Sequence, residues 1–262
     1  MNGIQIESLT FKRKQRAIFD ELSVKMPSGQ FIGLLGPNGT GKSTLLRLIA
    51  GLVPVENGEV FLHNNRLKSL KKKEVARLIS YMPQSTHLET NFTVQQVVEM
   101  GRYPHKSRFT NWSKEDSAKV DEAIRMTGIH HLRERFVPTL SGGERQLVYL
   151  AKVIAQDTSI ILLDEPTSDL DIYHQVLVTE IIKRLINQGK TVLAAIHDIN
   201  YSARICDQCM LIRDGIMIDF GNVDEVLTKT NLSDTFQVDA HIYVEPMTNS
   251  KQMIPMEVKN IG

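Results

Sequence analysis

The chain has 262 residues, 42% of them hydrophobic, and a formal net charge of +1. It can bury one large α/β core with a smaller lobe inserted, and its near-neutral balance gives no global pull toward nucleic acid. The longest apolar stretches, such as Phe31–Leu35 and Ile160–Leu163, fall far short of the roughly 20 residues of a membrane span, and Met1–Arg16 lacks the apolar h-region of a secretory signal, so a cytoplasmic protein is expected.

In chain order, Ile4–Phe11 and Ala17–Lys25 predict an antiparallel strand pair around a basic turn. The apolar run Phe31–Leu35 predicts a buried strand. It is followed by Gly36-Pro37-Asn38-Gly39-Thr40-Gly41-Lys42-Ser43-Thr44 and a helical Leu45–Ala50. Glu59–His63 adds a strand before Asn64-Asn65, and Leu78–Met82 is a short strand with Gln84 just past its end. Helical patterns then take over at Val94–Met100 and Lys114–Thr127, with Pro104 and Pro138 punctuating the segment, which predicts an inserted helical lobe over about 85–140. A further helix opens at Ser141 with Leu147, Leu150, Ala151 and Ile154 on one face. Ile160–Asp164 reads as a buried parallel strand and Gln175–Gln188 as a helix stopped by Gly189. Thr191–Ile196 is a strand ending at His197, then come a helix over Asn200–Ile205 and a strand over Cys209–Ile212. Residues 1–245 are expected to form the domain, and Asn249–Gly262, within a tail spanning 246–262, to be weakly ordered.

The glycine-rich turn between strand and helix is what a polyphosphate cradle needs. Glycines let backbone N–H groups face the anion, and the positive end of the next helix favours it. Lys42 can reach the outer phosphates, and Ser43 can offer its hydroxyl to a magnesium ion between them, which makes a nucleoside triphosphate the natural ligand. Asp164 and Glu165 end a strand at the edge where open α/β sheets bind ligands. There Asp164 would hold the magnesium shell, and Glu165 would orient or deprotonate the attacking water. Ser141 and the glycines after it open a helix whose N-terminus can meet a second anion.

These segments, in this order, resemble the nucleotide-binding subunit of an ABC transporter over nearly the whole chain. The resemblance makes Gly36–Thr44 the Walker A loop, Gln84 the Q-loop glutamine, Ser141–Gln146 the signature motif and Ile160–Glu165 the Walker B strand. Ser168–Asp171 matches the D-loop, with Asp169 and Asp171, and His197 matches the switch histidine. It implies a P-loop NTPase core with an antiparallel β subdomain and an inserted helical subdomain. Two copies would sandwich two ATP molecules, with Ser43, Gln84 and Asp164 on magnesium and Glu165, His197 and Gln84 in catalysis. Ser141, Gly142, Gly143 and Glu144 would reach the partner's nucleotide. Implied partners are a second copy, two permease subunits and, through them, an extracytoplasmic substrate-binding protein, at the cytoplasmic face of the membrane. The segments Met100–His105, Ala155–Thr158 and Leu170–Gln175 look like the ATPases of importers for iron-siderophore complexes, haem and cobalamin. A soluble ABC ATPase without a permease, such as one for iron–sulfur assembly, is the alternative.

The family pattern places an adenine-stacking aromatic on the first strand, and alignment back from the glycine loop puts Arg13 there, with Phe11 as competitor. Arg13 is expected to stack through its planar guanidinium while Phe11 packs as core. Cys206 and Cys209 form a C-x-x-C spacing that suggests redox or metal chemistry, but no second pair completes a site and buried thiols are the expectation. Lys12–Arg16 and Lys71–Lys73 read as solvated charge, with attraction to anionic lipid as the rival. His130 and His131 read as surface residues.

Overall fold

The computed structural model describes residues 2–13, 16–84, 91–106, 112–168 and 170–258. Strands β1 (Asn2–Arg13) and β2 (Arg16–Pro27) pair antiparallel, with Ile4 opposite Met26 and Ile6 opposite Val24. Strand β3 (Phe31–Leu35) runs into the glycine loop and α1 (Lys42–Ile49). After β4 (Asn57–Leu62) and β5 (Asn65–Arg66) the first sheet is complete in the order β2-β1-β4-β5.

Next come α2 (Lys72–Leu78), β6 (Ile79–Met82), α3 (Val94–Glu99), α4 (Lys114–Met126), α5 (Gly142–Ala155), β7 (Ile160–Asp164), α6 (Ile172–Asn187), β8 (Thr191–Ala195) and α7 (Ile199–Ile205). Strand β9 (Gln208–Arg213) and the antiparallel edge strand β10 (Ile216–Asn222) complete a second sheet in the order β10-β9-β3-β8-β7-β6. Every residue of β3, β7 and β8 is buried, as expected of parallel strands covered on both faces. Alternation then divides the core. Ile32, Leu34, Ile160 and Leu162 join the antiparallel sheet and α1. Phe31, Leu35, Ile161 and Leu163 join α5, α6 and the helical lobe.

Three capping boxes start the lobe's helices. Thr93 pairs with Gln96, Ser113 with Asp116 and Ser141 with Glu144. Arg102, in the short 3-10 helix Met100–His105 after α3, is only 3% exposed and binds Asp116 Oδ1 and the Ala155 carbonyl, each at 2.9 Å. At the far end of α5, Gln156 donates to the carbonyls of Ala76 and Ile79 at 2.7 and 3.1 Å, and its own carbonyl accepts from His105 at 2.8 Å. This fastens the lobe to α2 and β6.

Two sequence expectations are corrected. Helix α6 starts three residues earlier than its apolar pattern, because Asp171 Oδ1 accepts the His174 N–H at 2.9 Å and caps it. After α8 (Val223–Val226) and α9 (Lys229–Phe236), β11 (Val238–Glu245) pairs antiparallel with β12 (Ser250–Val258). Residues 250–258 are therefore strand rather than loose tail, and a boundary after 245 would cut the hairpin at its turn. Asn200 secures the hairpin through the backbone N–H and carbonyl of Met253, at 2.7 and 3.1 Å. Among the described residues no helix is long and apolar enough to cross a membrane.

Candidate functional site

The glycine loop turns at Gly36, whose φ is +156° and where a Cβ would lie 2.1 Å from the Ile212 carbonyl oxygen. No side chain fits there, and the chain passes directly over β9. Gly41, left-handed at φ 101°, then begins α1. The Lys42 ammonium donates to the carbonyls of Gly36 at 2.7 Å and Pro37 at 3.0 Å. Burial lowers the Lys42 pKa, with Glu165 and Asp164 opposing that shift.

Asp164, fully buried at the end of β7, accepts from Ser43 Oγ on Oδ1 at 2.8 Å and from the Tyr81 hydroxyl on Oδ2 at 3.0 Å. Arg47 Nε donates to that phenol oxygen at 3.3 Å. Burial is the main force raising the Tyr81 pKa.

Glu165 follows with φ 54°, a left-handed conformation that costs a non-glycine residue strain and turns its carboxylate out of the strand. Its Oε2 accepts from Gln84 Nε2 at 2.7 Å and Ser168 Oγ at 2.9 Å, and its Oε1 meets His197 Nε2. A cavity of about 650 Å³ collects Lys42, Ser43, Gln84, Glu165 and His197 on its walls, and Arg13 and Ile18 also line it. Asn38, Gly39, Gly41 and Thr44 of the loop line it as well. Phe11, partly buried, packs against the core of the antiparallel sheet.

The signature residues lie elsewhere on the same chain. Ser141 Oγ accepts the Glu144 N–H at 3.2 Å, and Glu144 Oε2 accepts the Ser141 N–H at 2.8 Å. That backbone hydrogen bond is the main reason the Glu144 carboxyl sits below its usual range. A Cβ on Gly143 would come within 2.9 Å of the His174 ring, whose Nδ1 hydrogen-bonds Asp171 at 2.8 Å. Asp171 thus supports the N-terminus of α5 through His174. Asp169 lies outside the described residues.

The donors fit a magnesium ion. A serine hydroxyl and a buried carboxylate oxygen meet beside a phosphate cradle, and both are hard oxygen ligands. Among the described residues no group of three or more His, Cys, Asp or Glu could hold a metal by itself. Cys206 and Cys209 are free thiols. Burial pushes Cys209 up to about 12 and Cys206 higher still. The sequence reading passed over Tyr81 and the Ser168 hydroxyl. Ser168 stands in the tetrapeptide already singled out, whereas Tyr81 carries no motif signal and is reached only across the sheet.

A parallel sheet with a glycine-loop cradle at the end of β3, paired carboxylates at the end of β7 two positions away across β8, and an inserted helical lobe define a P-loop nucleotide-binding protein. Residues 19–168 match the family described as ABC transporter, and the chain belongs to that family. It is 38% identical over 251 residues to the ferric enterobactin transport ATP-binding protein FepC of Escherichia coli K12, covering 95% of this chain and 93% of that one. The iron(3+)-hydroxamate import ATP-binding protein FhuC of Bacillus subtilis 168 is 36% identical over 250 residues, with 95% and 93% covered. Among solved structures, a chain of a provisionally assigned metal-chelate type ABC transporter in an inward-facing conformation superposes with a TM-score of 0.84. It is 28% identical and covers 97% of each chain.

Proposed function

We propose that this chain is the ATP-hydrolysing subunit of an importer of metal chelates, with iron-siderophore complexes as cargo. The observation that carries the chemistry is the convergence of Lys42, Ser43, Glu165, Gln84 and His197 on one cavity. Lys42 exchanges its loop carbonyls for phosphate oxygens, and the first N–H groups of α1 bind the same anion. Bound magnesium would supply charge neutralisation between phosphates, held by Ser43 and Asp164 with Gln84 nearby. Glu165 receives the proton of, or orients, the attacking water, and Gln84, Ser168 and His197 hold its carboxylate in place. The signature residues Ser141–Glu144 sit apart from this cavity, which supports a head-to-tail pair in which each chain completes the other's site. Two permease subunits at the cytoplasmic face of the membrane, served by an extracytoplasmic binding protein, complete the assembly. The names of the relatives support that cargo and direction.

Glu165→Gln keeps the cradle and removes the proton acceptor. Steady-state ATP hydrolysis should fall by about two orders of magnitude or more while ATP binding persists, and an ATP-bound dimer should accumulate in size-exclusion chromatography. Near-normal turnover would remove Glu165 from this role. Uptake of radiolabelled ferric siderophores into vesicles carrying the cognate permease tests the cargo.

A further inference from the structure

Tyr81 comes from β6, the edge strand beside β7, where it stands opposite Leu162, two residues before Asp164. A phenylalanine would serve its packing as well. The residue is only half-buried, and it also forms part of the wall of a groove of about 730 Å³ beside α1 and α2. The hydroxyl therefore needs a reason of its own, and the structure shows one partner on each side of it: Asp164 Oδ2 accepts its proton and Arg47 Nε donates to its oxygen.

An aspartate carboxylate turns easily about its last torsion. Ser43 restrains one oxygen of Asp164, and Tyr81 restrains the other. With both engaged, the carboxylate plane is set before any ligand arrives, and Arg47 in turn holds the phenol in line. Preorganisation of this kind strengthens a charged interaction because no reorientation is needed on binding.

The geometry points to Tyr81 as a positioning residue, backed by Arg47, that fixes the Asp164 carboxylate for the magnesium–nucleotide complex and so sets affinity for the metal rather than for the nucleotide. This rests on the function proposed above. Tyr81 touches neither nucleotide nor water in the reaction and acts through Asp164.

The test is Tyr81→Phe in the full chain, with binding of a fluorescent ATP analogue titrated against magnesium. The half-saturating magnesium concentration should rise about ten- to a hundredfold, the loss expected for one hydrogen bond to a charged group. Affinity for the analogue in EDTA should be unchanged. Titration of manganese by electron paramagnetic resonance should show the same weakening without any turnover, and Arg47→Gln should shift the metal dependence in the same direction by less. An unaltered metal dependence in Tyr81→Phe would overturn the inference, as would an equal loss of binding in EDTA, the mark of a merely structural role. If the wild-type chain itself shows no magnesium-dependent binding, the proposed function fails instead.

Discussion

The carbonyls of Gly36 and Pro37 hold the Lys42 ammonium at 2.7 and 3.0 Å, so a phosphate bound there would exchange for those hydrogen bonds. Arg13 and Ile18 line the same cavity, and Phe11 does not. If Arg13 stacks on adenine as proposed, Arg13→Ala should weaken ATP binding by roughly three- to thirtyfold with little change in thermal stability, because it would remove a stacking surface and no core contact. Phe11→Ala should lower the melting temperature first. Isothermal titration beside a melting curve separates the two. Normal ATP affinity in Arg13→Ala, together with loss in a folded Phe11→Ala, would move the adenine platform to Phe11. Residues of this kind were legible from sequence where the chemistry is local, as in the run from Gly36 to Thr44 or the pair Asp164-Glu165. The contacts made by Ser168 and Tyr81 were not, because they depend on a left-handed turn at Glu165 and on the register of β6 against β7.

Between elements, the most buried ion pair among the described residues is that of Arg102 and Asp116, which joins the segment after α3 to α4 and, through the Ala155 carbonyl, to α5. Burial disfavours the Asp116 charge, yet hydrogen bonds from Ser113 and Arg102 outweigh it and hold the carboxyl below its usual range. Because the folded value is the lower one, this stabilisation is complete above the ordinary carboxylate pKa and is lost as acid protonates Asp116. Arg102→Ala strands a buried carboxylate and should cost about 3–5 kcal/mol by chemical denaturation. Arg102→Ala combined with Asp116→Ala should recover part of that. Additive losses in the double variant would mean the pair is not coupled. The lobe's helices were readable in advance from their helical patterns, α4 to within a residue of its ends, whereas the caps at Thr93 and Ser113 emerge only in the structure. The C-terminal hairpin was not. Gln252, Met253, Ile254, Pro255 and Met256 show no polar–apolar alternation, and Pro255 argues against a strand anywhere except at an edge. Its order comes from pairing with β11 and from distant anchors, Asn200 on α7 and the Leu227 carbonyl that accepts from Lys251.

For the whole molecule, the separation of the phosphate cavity from Ser141–Glu144 sets the experiment. Ser141→Arg should spare nucleotide binding by the isolated subunit and abolish hydrolysis, since the added bulk and charge occupy the place of the partner's γ-phosphate. Mixed with Lys42→Ala chains it should regain activity, because one site of the heterodimer then has both an intact cradle and an intact signature. Verified heterodimers without hydrolysis would count against the head-to-tail arrangement.

The fastening at Gln156 gives the helical lobe a fulcrum. Its side chain and carbonyl are held by Ala76, Ile79 and His105 at one end of α5, while Ser141 stands at the other. A helix of 14 residues is a rigid arm of about 21 Å. A swing of about ten degrees about the Gln156 end would carry the Ser141 end about 4 Å, a displacement longer than a hydrogen bond. Small angular play at the carbonyls of α2 and β6 would thereby be magnified at Ser141. The mechanical advantage also runs backward, so force applied at the signature end would reach the Gln156 bonds multiplied, and those bonds set how stiff the lever is.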